Sequence, residues 1–101
     1  MIQETQIVNR QLQVTLSRGI HAGDVEGLKQ AFDAFFDKGQ ASLLIDMSKV
    51  DYIDSAGLGM LVALKKRALR NGGNIRLHGL QGLVGELFEL TQLTKMFEIM
   101  R

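Results

Sequence analysis

Ala41 to Ile45 (ASLLI) is a short, nearly unbroken apolar run set between two longer stretches of helical periodicity, and it limits the possible folds more than any other segment. Such a run ending at a polar residue, here Asp46, reads as a central strand covered on both faces. Upstream, Val25, Leu28, Ala31, Phe32, Phe35 and Phe36 fall on one helical stripe, with Asp24 placed to cap its start and Gly39 to end it. Downstream, a second helix is expected from about Gly57 to Arg70, closed by Asn71-Gly72-Gly73. Its Leu58, Leu61, Val62, Leu64, Ala68 and Leu69 point one way and Lys66, Arg67 and Arg70 the other, with Met60 off the apolar stripe.

The rest of the chain continues the alternation. Ile7 and Val8 precede a polar Asn9-Arg10-Gln11 break, after which Leu12, Val14 and Leu16 alternate with Gln13 and Thr15, the pattern of an antiparallel hairpin. Asn74 to His78 alternates as a strand. Leu83, Val84, Leu87, Phe88 and Leu90 indicate a third helix, and Met96 to Met100 a last short strand. Strands alternating with helices imply parallel neighbours joined by right-handed crossovers. The expected fold is therefore a small α/β domain over residues 1–101, its mixed sheet opening on an antiparallel hairpin and continuing with parallel strands, packed with about three to four helices.

Composition removes several classes of function. With 101 residues, 46% apolar and 23% charged, the chain has ordinary globular proportions and the size of one domain. It has no cysteine, which excludes disulfides, thiolate metal sites and a cysteine nucleophile, and fits a reducing compartment, the cytoplasm. No apolar run approaches the roughly 18 residues of a membrane span, and MIQETQIVNR lacks the layout of a signal peptide. A formal net charge of +1 names neither nucleic acid nor an anionic membrane as partner.

The chemistry concentrates in Asp46-Met47-Ser48-Lys49-Val50-Asp51-Tyr52-Ile53-Asp54-Ser55-Ala56-Gly57-Leu58-Gly59. This segment sets short acidic and hydroxylic residues where a strand's C-terminal edge hands over to a helix, the edge on which open α/β sheets build sites. A serine just before a helix can accept hydrogen bonds from the free N–H groups of the first turn, and the helix N-terminus favours negative charge. A phosphate on Ser55 would sit in a favourable local field.

The same segment resembles the signature D-x-S-x-V-x-x-I-D-S-x-G-L-G of STAS domains, and within them of bacterial anti-sigma factor antagonists. It is carried here by Asp46, Ser48, Val50, Ile53, Asp54, Ser55, Gly57, Leu58 and Gly59. The resemblance continues through Lys65-Lys66-Arg67-Ala68, Gly72-Gly73, Ile75 to Leu77, Leu87-Phe88-Glu89-Leu90 and Leu93. The first forty residues match in layout only, with Gly19-Ile20-His21-Ala22 standing where the family often has Gly-x-Leu-Asp.

That resemblance implies a partner switch and no enzymatic activity of the chain's own, with no cofactor. Unphosphorylated, such a protein binds an anti-sigma factor that is itself a serine kinase of the histidine-kinase-like ATPase type, and so frees a sigma factor. The kinase phosphorylates Ser55, and a PP2C-type phosphatase reverses the step. The implied partner surface comprises Asp46, Asp54, Ser55, Ala56, Gly57, Leu58, Gly59 and Met60, with Gly57 and Gly59 admitting the partner's backbone and Met60 exposed beside Ser55. The chain is expected as a monomer or weak dimer.

Other readings compete. Ser55 alone is a helix N-cap, and Asp46 a loop-capping carboxylate. Gly57 and Gly59 begin a G-x-G-x-x-G but meet Val62 at its third glycine, and a hydrolase elbow would need glycine at Ile53. His21 and His78 lack metal-ligand spacing. The basic stripe Lys66, Arg67, Arg70 reads as a solvated face without the interleaved aromatics of nucleic-acid binding. An unswitched STAS subunit, such as a stress-signalling scaffold or a soluble component of a lipid transporter, shares most of the motif. A receiver domain phosphorylated on Asp46 would need an acidic pair after its first strand, which is missing.

Overall fold

The computed structural model describes residues 2–100. In chain order the elements are β1 (Ile2–Val8), β2 (Gln11–Ile20), α1 (Ala22–Asp37), β3 (Ser42–Ile53), α2 (Ser55–Arg70), β4 (Asn74–His78), α3 (Gly82–Leu90), a single 3-10 turn (Leu93–Lys95) and β5 (Glu98–Met100). The strands lie in one sheet in the order β1-β2-β3-β4-β5. β1 and β2 are antiparallel and every later neighbour is parallel, as the strand and helix alternation implied. Asn9 and Arg10 turn the hairpin with φ of 53° and 67°. Both values lie in the left-handed region that a two-residue type I′ turn requires.

The monotonic strand order corrects one expectation. A parallel strand that follows its predecessor on the same side each time, always by a crossover of one hand, puts every helix on the same face. β3 is thus covered on one face only. Leu43, Ile45 and Met47 are fully buried under the helices, whereas Leu44 and Asp46, pointing the other way, are half-buried on an open polar face. Across the sheet, Leu12, Val14, Leu16, Ile75 and Leu77 continue the buried face and Gln11, Gln13, Thr15, Arg76 and His78 the open one. Each fully buried Leu or Ile on the covered face contributes about 1.5–3 kcal/mol of transfer free energy.

The helix faces are also turned from those expected. In α2 the buried positions are Gly57, Met60, Leu61, Leu64, Lys65 and Ala68, a regular i, i+3, i+4, i+7 stripe anchored on a glycine. A count of apolar side chains misses Gly57 as the point of closest approach, so the expected stripe was rotated toward Leu58 and Leu69. Leu69 is in fact 52% exposed. Lys65 is buried because its stem packs in the core while its ammonium reaches Asn74 Oδ1 at the start of β4 and lies 5.9 Å from the Phe97 ring centre.

Arg67, expected on a solvated face, instead ties α2 to α1: its guanidinium bonds Asp33, lies 3.4 Å from Asp37 and sits 4.8 Å over the Phe36 ring. In α1, Phe32 and Phe36 are core residues, while Phe35 is half-buried, edge-on to Phe32. Asp24 is not the cap of α1. His21 holds that position, and Asp24 accepts from the His21 backbone N–H at 2.9 Å from the third helical position. In α3, Val84 and Phe88 are buried, but Leu83 and Leu90 are 64% and 80% exposed.

Candidate functional site

The strand expected to end at Asp46 instead runs on to Ile53, so residues 47–53 are the second half of a twelve-residue strand, β3. It remains paired with β2 through two irregularities, between Thr15 and Ser17 and between Arg18 and Gly19. Arg18 takes φ of 68° there. Bulges of this kind turn a strand end and re-aim its side chains. They bring Ile20 beside Ile53, and the Asp54 backbone N–H donates to the Ile20 carbonyl at 3.1 Å. The start of α2 is thereby fixed against the start of α1.

Asp54 makes that junction. It is the N-cap of α2, its Oδ1 accepting from the Gly57 N–H at 2.9 Å and its Oδ2 from the Ala22 N–H of α1 at 2.8 Å. One carboxylate therefore satisfies an orphan donor on each of two helices. The Gly57 amide, opposed by partial desolvation and helped by the amides of Ala22 and Ala56 and by His21, holds the Asp54 carboxyl below the ordinary aspartate range.

A depressed folded-state pKa stabilises the fold above the unfolded value, about 4, and that contribution is lost as pH falls through the folded value. Asp54→Asn keeps a cap of similar shape without the charge. The stability difference between wild type and Asp54→Asn is expected to be constant at neutral pH and to shrink below about pH 4, as read by denaturant melts across pH. A difference that grows on acidification would contradict this role.

Because Asp54 takes the cap, Ser55 becomes the first residue of α2 and not its N-cap as expected. Its side chain is exposed, and no described residue holds its hydroxyl in a hydrogen bond. Around it, Gly59 is exposed and Ala56 and Leu58 are half-buried. Met60, expected as an exposed contact, is only 3% exposed and belongs to the core, since it lies on the Gly57 stripe.

Gly57 is likewise an internal residue. A Cβ there would come within 2.7 Å of Ile53 and 2.9 Å of Ile20, so its glycine lets α2 sit down on the sheet and does not admit a partner. Gly59 is different: a Cβ there meets nothing within 4 Å. Gly59→Ala is therefore expected to stabilise the fold by about 0.5–1 kcal/mol through helix propensity. If a partner lies against this turn, the same methyl weakens binding. Paired thermal and binding measurements read both effects, and a loss of stability would show that the surroundings of Gly59 are tighter than described.

Two residues that sequence reasoning passed over complete the site. His21 stacks on Tyr52 with ring centres 4.8 Å apart at 26°, and Tyr52 remains 43% exposed. An exposed tyrosine two residues before the Asp54-Ser55 pair was the available signal. Asp46, by contrast, lies within the strand and not at its end. It accepts from the Ser48 N–H at 2.9 Å and faces His78 Nδ1 at 3.4 Å. Burial pushes its carboxyl up, but hydrogen bonds from Ser48 and the neighbouring His78 outweigh this and leave it below its ordinary value. Its contacts lie on the β4 flank of β3, whereas those of Asp54 reach α1 and α2. The structure thus gathers Asp54, Ser55, Ala56, Leu58 and Gly59 at one corner, with Tyr52 and His21 beside them, and ties Asp46 elsewhere.

The corner offers a bare hydroxyl on a rigid helix start. Among the described residues there is no cluster fit to hold a metal ion, and no described helix is long and apolar enough to cross a membrane.

Comparison with known proteins gives a consistent result. The family model described as STAS domain matches residues 3–101. The anti-sigma-B factor antagonist of Listeria monocytogenes is 32% identical over 83 residues, covering 77% of this chain and 73% of that protein. A crystal structure from Thermotoga maritima superposes with a TM-score of 0.88 at 26% identity, over 95% of this chain and 83% of the other. The anti-sigma factor antagonist SpoIIAA in its unphosphorylated form shares the fold, with a TM-score of 0.75 at 14% identity over 97% of this chain and 86% of that one.

Proposed function

Since the chain belongs to the STAS domain family, whose model spans residues 3–101, we propose that it is an anti-sigma factor antagonist that works as a phosphorylation-gated partner switch at Ser55. The relative from Listeria monocytogenes carries the name anti-sigma-B factor antagonist, which supports the first half of this reading. The observation that carries the second half is the division of labour between Asp54 and Ser55. The carboxylate holds the helix start, so the hydroxyl beside it is exposed and owes nothing to the fold.

In the unphosphorylated state the corner of Asp54, Ser55, Ala56, Leu58 and Gly59 closes against an anti-sigma factor, which thereby releases its sigma factor. That anti-sigma factor is also the serine kinase, of the histidine-kinase-like ATPase type. A phosphoryl group on Ser55 adds about −1.5 to −2 charges at pH 7 next to the ionised Asp54. A dry interface would then have to bury an unpaired dianion against a carboxylate, which costs on the order of several kcal/mol. The partner leaves. At the N-terminus of α2 the same charge sits favourably on the helix dipole, so the fold is kept. A PP2C-type phosphatase removing the phosphate resets the protein.

The test is incubation of the full chain with the purified anti-sigma factor kinase and ATP, followed by intact-mass measurement. Wild type is expected to gain the mass of a single phosphate and to lose its complex with the kinase on a sizing column. Ser55→Ala is expected to gain none and to stay bound. A complex that persists on the phosphorylated protein would instead favour an unswitched interaction subunit.

A further inference from the structure

The two edges of the sheet are built very differently. β5 is protected by its brevity, at three residues. β1 has seven residues, IQETQIV, with Glu4 its only charge and with no proline or lysine. Its Gln3 to Val8 are exposed, and Ile7 and Val8 leave 61% and 40% of their surface in solvent. Free strand edges of this length are usually blunted by charge, proline, a bulge or a covering element, and the exposed stretch Thr5 to Val8 carries no charge, proline or bulge.

The hairpin determines which backbone groups are free. The residues flanking a two-residue turn form a hydrogen-bonded pair, so Val8–Gln11 bond each other and Ile7–Leu12 do not, with alternation thereafter. Gln6–Gln13 are then bonded, and Thr5–Val14 are not. The N–H and C=O of Thr5 and Ile7 consequently point away from β2. A register shift between Ile2 and Glu4 makes Gln3 an extra residue with no partner on β2.

We propose that β1 pairs antiparallel with β1 of a second copy across a two-fold axis at Thr5, joining the two sheets into one. In that register Thr5 exchanges two hydrogen bonds with its symmetry mate and Ile7 faces Gln3 of the other copy. Glu4 faces Gln6, so no charge meets a like charge, and exposed Val8 meets half-buried Ile2. A Thr–Thr pair is among the favourable cross-strand combinations. Any strand offset by one residue would present the bonded groups of Glu4 and Gln6 and fail. β1 lies two strands from β3, so the corner bearing Ser55 stays open in both copies.

Sedimentation equilibrium of the full chain over a wide concentration range, with circular dichroism to confirm folding, tests this. Wild type is expected to show a reversible monomer–dimer equilibrium. Thr5→Pro removes only an N–H that faces outward, so the hairpin persists while dimerisation weakens at least tenfold. Thr5→Lys and Thr5→Glu set like charges across the axis and are each expected to be monomeric, yet an equimolar mixture of the two should recover the dimer as a heterodimer. A wild type that stays monomeric at millimolar concentration, a dimer indifferent to Thr5→Pro, or folded charge variants that do not recover on mixing would each overturn the proposal.

Discussion

Ser55→Glu is expected to lower affinity for the anti-sigma factor by at least 100-fold while leaving Tm within about 4 °C of wild type. The two halves follow from one location. Ser55 is exposed at the first position of α2, where a surface substitution changes stability by no more than about 0.5 kcal/mol and a carboxylate is favoured by the helix N-terminus. In the complex the same carboxylate would be desolvated beside Asp54. A penalty of about 3 kcal/mol, at 1.4 kcal/mol per tenfold, exceeds two decades in Kd. Titration calorimetry and scanning calorimetry on the same preparations read both numbers. Ser55→Ala should bind as wild type does. Wild-type affinity in the Glu variant would remove Ser55 from the interface, whereas a large fall in Tm would mean that the hydroxyl serves the fold after all.

The largest effect on stability is expected at Gly73, well away from the site. Gly73 links α2 to β4, and its N–H donates to the Ala68 carbonyl at 2.9 Å while the next residue, Asn74, donates to the Ala41 carbonyl at 3.0 Å. A Cβ on Gly73 would lie 2.0 Å from that Ala41 oxygen and 2.3 Å from its carbon. Backbone atoms cannot swing aside as a side-chain end can, so β4 would have to separate from the start of β3. Overpacking and strain of this kind cost about 3 kcal/mol, and for a chain of this length Gly73→Ala should lower Tm by roughly 12–24 °C. Exposed Gly59 serves as the control in the opposite direction. A Gly73→Ala protein melting within a few degrees of wild type would show that the α2–β4 turn yields far more easily than its contacts indicate.

Most of the architecture was legible in the periodicity of the chain. The alternation of Leu12, Val14 and Leu16 and the polar break at Asn9-Arg10 marked the hairpin, because a side-chain period of two and a turn needing positive φ are local properties. The helices and the order of elements were legible for the same reason. The errors came where a neighbour in space mattered. Leu44 looked buried because its own strand is apolar, but the progression of strands left that face of the sheet bare. Met60 looked exposed because Gly57, the residue on which α2 settles, has no side chain for a pattern to register.

The site divides in the same way. Its composition, Asp54-Ser55 ahead of Gly57-Leu58-Gly59, and its place at the start of a helix are written in the order of residues, since capping and helix initiation act over three or four positions. Folding alone decided which residue caps and which stays free. The Ala22 amide, brought up from 32 residues away, engages the Asp54 carboxylate together with the Gly57 amide, and the serine is left with its hydroxyl in solvent. Hydrogen bonds and close contacts between distant segments exist only once the chain has closed on itself, which is why they assigned the roles that the residue order could only nominate.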